Sequence, residues 1–394
     1  MMGMSEGTSA RASASLGLGL ALCSISGVMS ALVMVPIMPD LFRVFEAVPN
    51  ATFWLPALMT IPGLCAALLS PLFGYLGDRI DSKWPLIACL ILYVLFGLMP
   101  FFISSLPLLT VTRIGLGIAQ TGVLVISMAM IAHLFDHAAR ERWLAVQAAA
   151  ATGSSILLLP LSGLLAERLG WQGAFLLFLL GLGLALFIVL QQVPRRAASD
   201  HAAAGDTHIP WAWLLGQCAV TSIGGIIFFA TQFQLGLALA AVGVTGAATI
   251  GALSAFAAGG VVIGTLIFMP AKRRLGRMLL PLVLVMSGIA LIVIWTMQTL
   301  PVLLICAFAS MIANGMMLPT LVTQVAAGLP DAVRGRGMGI WNSAFVLAQF
   351  LSSAFLGAVL SRPGWTVLDA FGLLGCVSIA LAAILTLRAR PSTD

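Results

Sequence analysis

Residues 51–103 read ATFWLPALMTIPGLCAALLSPLFGYLGDRIDSKWPLIACLILYVLFGLMPFFI. The hydrocarbon core of a bilayer is about 30 Å thick and takes about 20 apolar helical residues to cross. The runs 51–75 and 84–103 each supply that length without one charged residue. Between them, Gly74 to Lys83 gathers Asp78, Arg79, Asp81 and Lys83 into a single turn. Inside a bilayer no water can satisfy backbone amides, so such runs cross as helices. Working outward, ten more runs of this kind follow: 15–38, 106–134, 142–166, 173–193, 211–236, 242–270, 278–297, 300–328, 338–361 and 365–387. The chain therefore reads as an all-α integral membrane protein with twelve transmembrane helices. Roughly 33 residues are left per helix with its loop, so no separate extramembrane domain is expected. The first run exceeds the roughly 7–15-residue apolar core of a signal peptide and is expected to be retained.

Composition agrees. Of 394 residues, 61% are hydrophobic and 8% are charged, against roughly 25% charged in soluble domains; the mean hydropathy is +1.10. These values exclude a soluble enzyme, a disordered chain and a nucleic-acid-binding module. The basic balance, 19 Lys and Arg against 13 Asp and Glu, sits in short clusters between spans. If the N-terminus is cytoplasmic, fifteen basic residues fall in inner segments and three (Arg43, Arg168, Arg362) in outer ones. This asymmetry predicts an even span count with both termini inside. The longest polar stretch, PRRAASDHAAAGDTHIP at 194–210, reads as a cytoplasmic linker between six-helix bundles at 1–193 and 211–394. Basic turns recur at matching places in the halves: 74–83 and 271–277, then 135–143 and 330–341. The six cysteines all lie in apolar runs and form no CxxC pair, so no disulfide or metal framework is expected.

Several of these residues carry a resemblance. Gly74, Leu76, Asp78, Arg79 and Lys83 match the loop signature between spans two and three of the major facilitator superfamily, with Asp81 and Ser82 departing from it. Arg113-Ile114-Gly115-Leu116-Gly117 is similar to the family's Arg-containing pattern in span four. Pro160 and Gly163 align with the span-five motif of its drug/proton antiporters, although Leu159 and Ser155 replace the small residues of that motif. Gly170-Trp171-Gln172 and Arg334-Gly335-Arg336-Gly337 resemble loop motifs of the family. The resemblance covers nearly the whole chain. It implies two six-helix bundles around a central cavity, with Gly74, Asp78, Arg79, Lys83, Arg334 and Arg336 as a conformational latch.

The chemistry of transport is sparser. Catalytic machinery is absent from the sequence, so no enzyme activity and no cofactor are expected. An intramembrane charge marks function by default. Arg113 is one, about 10 Å into its helix at 1.5 Å per residue. No acid lies deep in a span; Asp40, at the outer end of span one, is the nearest. Asp40 and Arg113 are therefore the candidates for proton coupling, or Arg113 binds the charge of a substrate. Ser30, Gln120, Gln147, Gln232, Gln234, Asn314 and Asn342 are neutral candidates for lining the cavity, or they bond neighbouring helices. His133 and His137 are spaced four apart at one helix end, without further ligands for a metal. The expected function is proton-coupled export (efflux by an antiporter) of a hydrophobic or amphipathic organic compound at a bacterial inner membrane. The alternative is a carrier of a small organic anion bound by Arg113. The expected partners are a small-molecule substrate, protons and membrane lipid, without nucleic acid, and the expected state is a monomer.

Overall fold

The computed structural model describes residues 13–79, 83–193, 210–330 and 333–389, with their side chains except at 71, 74–79, 137, 388 and 389. Only α-helices, short 3-10 segments and turns occur among the described residues. The first crossing is built from α1 (Ala14–Leu22), α2 (Ser24–Leu32) and α3 (Met38–Val44). It is followed by α4 (Ala51–Arg79), α5 (Lys83–Leu98), α6 (Leu106–Leu134), α7 (His137–Leu169), a 3-10 segment (Trp171–Leu179) and α8 (Leu180–Val189). After 194–209 come α9 (Trp211–Phe233), α10 (Leu235–Ala241), α11 (Ala247–Leu275), α12 (Leu279–Met297), α13 (Leu300–Gly328), α14 (Arg334–Leu360) and α15 (Val367–Ala389).

Eleven helical stretches among the described residues are long and apolar enough to cross a membrane. The longest, Ala247–Met297, has 51 residues. As one helix it would run about 75 Å, more than twice the hydrocarbon thickness. It is instead two helices, parted at Gly276, whose φ of 50° no ordinary helix tolerates. Hence the described residues form twelve crossing helices. Leu68, Leu157, Leu186, Leu215, Leu266 and Ile305 stand 59–73% exposed around the outside. In water such a surface would aggregate; facing lipid it is satisfied.

The first crossing departs from the continuous run expected at 15–38. It breaks at Cys23 and again after Leu32, then resumes at Met38. Ser24, Ser26 and Ser30 donate to the carbonyls of Ala21, Cys23 and Gly27, three residues back. Such bonds compete with the helical ladder and bend it, while Pro36 and Pro39 cannot donate to it. The fifth crossing is longer than the 142–166 expected, because Asp136 caps it by accepting from the Ala139 amide at 2.9 Å.

Secondary structure also sharpens the repeat. α6 and α13 both have 29 residues and begin 194 positions apart, each with Pro at its second position. Gly170 and Gly364, again 194 apart, have φ of 76° and 77° and each precedes a Trp. Chain reversals needing positive φ thus fall at equivalent places in both halves, where glycine alone adopts them without strain.

One end of the molecule is fixed by contacts among Ser15, Lys83, Trp143 and Gln191. Ser15 donates to Gln191 Oε1 at 2.8 Å, Lys83 Nζ donates to the carbonyls of Val189 (2.9 Å) and Gln191 (2.6 Å), and the Trp143 ring covers Gly17. Val193 and Pro210, which flank 194–209, place this as the linker end. At the opposite, far end the two halves lock together. Gly163 on α7 leaves no room for a Cβ against the Ala247 carbonyl of α11, nor does Gly251 against the Leu159 carbonyl. Gly236 packs on the Val35 carbonyl and Gly357 on Phe53. The largest apolar core accordingly runs through both halves, from Val35, Met59 and Leu159 to Leu235, Ile250 and Leu356. A second core, around Leu16, Leu86, Leu90, Ile126 and Ile188, belongs to the first half alone and lies toward the linker end.

Candidate functional site

The far-end closure leaves space on the other side. α4 and α14 touch where Gly63 meets the amide of Gln349. On the linker side of that contact lies a cavity of about 610 Å³, lined by Ala66, Ala67 and Ser70 of α4, by Arg336, Gly339, Ile340, Asn342, Ser343 and Val346 of α14, and by Trp211. This volume is in the range of small-molecule sites, roughly 300–1,000 Å³. The residues on α14 recur every three or four positions and so form one helical face. Gly339 has open space where a Cβ would stand. The wall is mostly apolar, with neutral polar groups and a single cation.

The latch residues part company. Arg334 donates from Nε to the Ala326 carbonyl at 2.9 Å and from Nη2 to Leu329 at 3.4 Å, so it ties the turn between α13 and α14. Lys83 caps the carbonyls that end α8, within its own half. Arg336 is exposed in the cavity and bonds to none of the described residues. The backbones of Gly74, Asp78 and Arg79 belong to α4; their side chains, and residues 80–82, lie outside the described residues.

Arg113 is 1% exposed on α6. Its guanidinium lies 4.8 Å from the Phe175 ring centroid and 5.8 Å from that of Phe178. Nη1 and Nη2 have no hydrogen-bond partner among the described residues. Phe178 in turn packs on Tyr93, whose hydroxyl donates to the Ser26 carbonyl at 2.9 Å. Arg113 thus sits inside the first half, between α5, α6 and the 171–179 segment, rather than in the cavity wall. Asp40, in the first turn of α3, forms an ion pair with Arg43 three residues on. The structure does not bring Asp40 and Arg113 together in this conformation.

Of the neutral candidates, Asn342 lines the cavity and Ser30 bonds its own helix. Gln120 Nε2 reaches the Gly27 carbonyl at 3.3 Å and Gln234 Nε2 reaches Ser353 Oγ at 3.3 Å. Gln147 accepts from Ser24 Oγ through its backbone carbonyl at 2.7 Å, while its Nε2 and Gln232 Oε1 have no partner among the described residues. Asn314 is fully buried, and neither of its amide atoms has a partner among the described residues. It stands 194 positions after Gln120, so each half carries a buried amide at the same place in equivalent helices. Gly163 and Pro160 contribute to the crossing of α7 and α11.

Sequence reasoning missed the aromatic groups. The Phe175–Phe178–Tyr93 cage surrounds Arg113, and Phe228, Phe229, Phe345 and Trp341 form a chain of ring contacts between α9 and α14 at 5.0–6.3 Å. Trp341 Nε1 also donates to Thr221 Oγ1 at 2.7 Å. The 194-residue offset pairs Gln120 with Asn314, but it gives no signal for these rings. The tryptophans that flank the crossings divide. Trp84 and Trp211 are 65% and 53% exposed, whereas Trp171 is buried and Trp143 and Trp213 cover glycines of neighbouring helices.

Twelve crossing helices, an internal repeat and a cleft closed at one end are a transporter's architecture, and a family comparison decides which. The sequence model of the Major Facilitator Superfamily matches residues 18–288. The chain belongs to this superfamily. Among curated members it is similar to the MFS-type transporter TOXA of Cochliobolus carbonum, 25% identical over 213 residues, covering 54% of this chain and 38% of that protein. It is also similar to the drug efflux pump JefA of Mycobacterium tuberculosis, 26% identical over 144 residues, covering 35% of this chain and 27% of that one. The chain thus spans well under half the length of these curated superfamily relatives. In fold it is similar to a bacterial homolog of the human lysosomal transporter Spinster in its inward-facing and occupied conformation, with TM-score 0.78, 14% identity and 96% and 98% of the two chains covered. A D-xylose-proton symporter aligns with TM-score 0.73 and 14% identity over 94% and 95% of the chains. The superfamily's fold, with two six-helix bundles around a cavity, is therefore the fold of this chain.

Proposed function

We propose that this transporter exports a hydrophobic or amphipathic small organic compound in exchange for protons, by alternating access across a bacterial inner membrane. The reading rests on one observation. The halves are sealed at the far end, and a mostly apolar cavity with neutral polar groups and one cation, Arg336, lies between them toward the linker end. With the linker end in the cytoplasm, as the distribution of basic residues favours, this is the conformation that loads a substrate from inside. The drug efflux pump similar to one stretch of the chain supports export. Asp40 is the proposed proton carrier, on a monomer whose bundles are 1–193 and 211–394. The Asp78 loop and Arg336 would latch the linker end once it closes. The second reading, an organic-anion carrier binding its substrate at Arg113, has less support, because Phe175 and Phe178 cover that guanidinium and keep it out of the cavity wall.

The test uses inverted membrane vesicles with an acidified interior and a pH-sensitive dye inside. Neutral amphiphiles, lipophilic cations and organic anions are added in turn. A protein-dependent rise in interior pH on adding an amphiphile, lost in Asp40→Asn, is the expected outcome. Labelled substrate moving with no proton signal would sink the coupling proposal.

A further inference from the structure

The cavity between α4 and α14 has a polarity that the export reading leaves unused. Its cation, Arg336, lies two residues after the start of α14, and its deepest α14 residue, Val346, lies ten residues further on. At 1.5 Å per residue that is about 15 Å along the helix. Around Arg336 the surroundings favour an anion. The N-cap of α14, Val333, makes no side-chain cap bond, and the first amides of a helix have no intrahelical partner and sit at the positive end of the helix dipole. Gly335 and Gly339 have nothing within 4 Å of where a Cβ would stand, so a ligand can approach the backbone closely. Asn342 and Ser343 add hydrogen-bonding groups next to the cation. Beyond them the wall becomes Ala66, Ala67, Ile340 and Val346. Leu68 and Leu72 on α4 and Leu347 and Leu351 on α14 are 37–69% exposed, a surface that an apolar bilayer interior would satisfy. Trp211, half exposed at the cavity, is the residue type that settles at the headgroup level.

A charged mouth, a helix start and an apolar floor, with exposed leucines on the same two helices, match a molecule with an anionic head and one apolar tail. We propose that this cavity binds a single-chain anionic amphiphile entering from the leaflet at the linker end, its head paired with Arg336 and its tail lying along Ala66, Ala67, Ile340 and Val346. This rests on the transporter reading and specifies its substrate class and entry route. It also assigns anion recognition to Arg336 rather than to the enclosed Arg113. With a tail lying between α4 and α14 the linker end cannot close, so the amphiphile must move deeper before the halves rock.

Binding to the full chain in phosphatidylcholine nanodiscs tests this, with labelled dodecyl phosphate and dodecylphosphocholine below micellar concentration as tail-matched probes. The expected result is saturable binding of dodecyl phosphate at least tenfold tighter than dodecylphosphocholine, with affinity falling as salt rises. Arg336→Gln should remove that preference, and Val346→Trp, which fills the floor, should weaken both probes. Equal affinity of the two probes for the wild-type chain overturns the proposal without any variant. So does a phosphate preference that survives Arg336→Gln. Transport separates the two readings: a wild type that exports neutral amphiphiles yet binds both probes equally sinks only this inference. A wild type that moves no amphiphile at all sinks the export reading.

Discussion

Arg113 concentrates the energetic tension of the molecule in one side chain. Burying an ion costs several kcal/mol even after relaxation, and two ring contacts return about 0.5–2 kcal/mol. With Nη1 and Nη2 unpartnered among the described residues, desolvation outweighs what the cage supplies in this conformation. Arg113→Met, similar in length and uncharged, is therefore expected to leave the thermal midpoint in detergent unchanged or raised. Transport should fall more than tenfold, because a cation kept at such cost serves the cycle rather than the fold. A clearly lowered midpoint would mean that stacking on Phe175 and Phe178 outweighs desolvation. Asp40 is the opposite case. Its partner Arg43 is exposed, and exposed pairs contribute about 0–1 kcal/mol, so Asp40→Asn should barely change stability whatever it does to proton coupling. The sequence located Arg113 as an intramembrane charge but not its neighbours. Phe175 and Tyr93 lie on other helices, and no local spacing joins them to Arg113.

Between helices, the informative feature is how closely α7 and α11 cross. Gly163 and Gly251 each face a backbone carbonyl of the opposite helix, and backbone cannot yield as a side-chain tip can. Pro160, within α7, adjoins this crossing and has no amide to donate. The resemblance marked Pro160 and Gly163 as a motif; only packing gives them a partner, in the other half of the chain. Because the contact holds the far end shut, Gly251→Leu is expected to open it. In a cysteine-free background, Leu159→Cys should react slowly with a membrane-impermeant thiol reagent applied from the far side. Adding Gly251→Leu should speed that labelling severalfold. An unchanged rate would mean that the far end is held elsewhere, at Gly236 with Val35 or at Gly357 with Phe53.

For the whole molecule, alternating access requires the far-end contacts to break and the linker end to close. A disulfide between Phe53→Cys and Gly357→Cys would span a contact in which a Cβ on Gly357 lies 3.0 Å from the Phe53 Cα. Oxidation is expected to abolish transport while leaving substrate binding from the linker end intact, and reduction should restore transport. Transport that continued under oxidation would show that the far end need not open. At this scale much was legible in the sequence. The crossings at 106–134 and 300–328 match α6 and α13 end to end, although Thr112, Ser127 and Thr323 bond carbonyls three residues back and Pro319 lies inside α13. The first crossing was misread as continuous, because three serines and two prolines interrupt a run that hydrophobicity alone leaves unbroken.

The sequence by itself determined that the chain lies in a membrane, how many times it crosses, and that its halves repeat. Each of these follows from the length and spacing of apolar runs, which the thickness of the bilayer dictates locally. Only the tertiary structure decided which end is shut, that Arg113 is caged rather than paired with Asp40, and that Arg336 faces an open cavity while Arg334 does not. Those outcomes depend on helices far apart in the chain, packed through glycines and aromatic rings. Neighbouring residues carry no information about which distant backbone a glycine will meet.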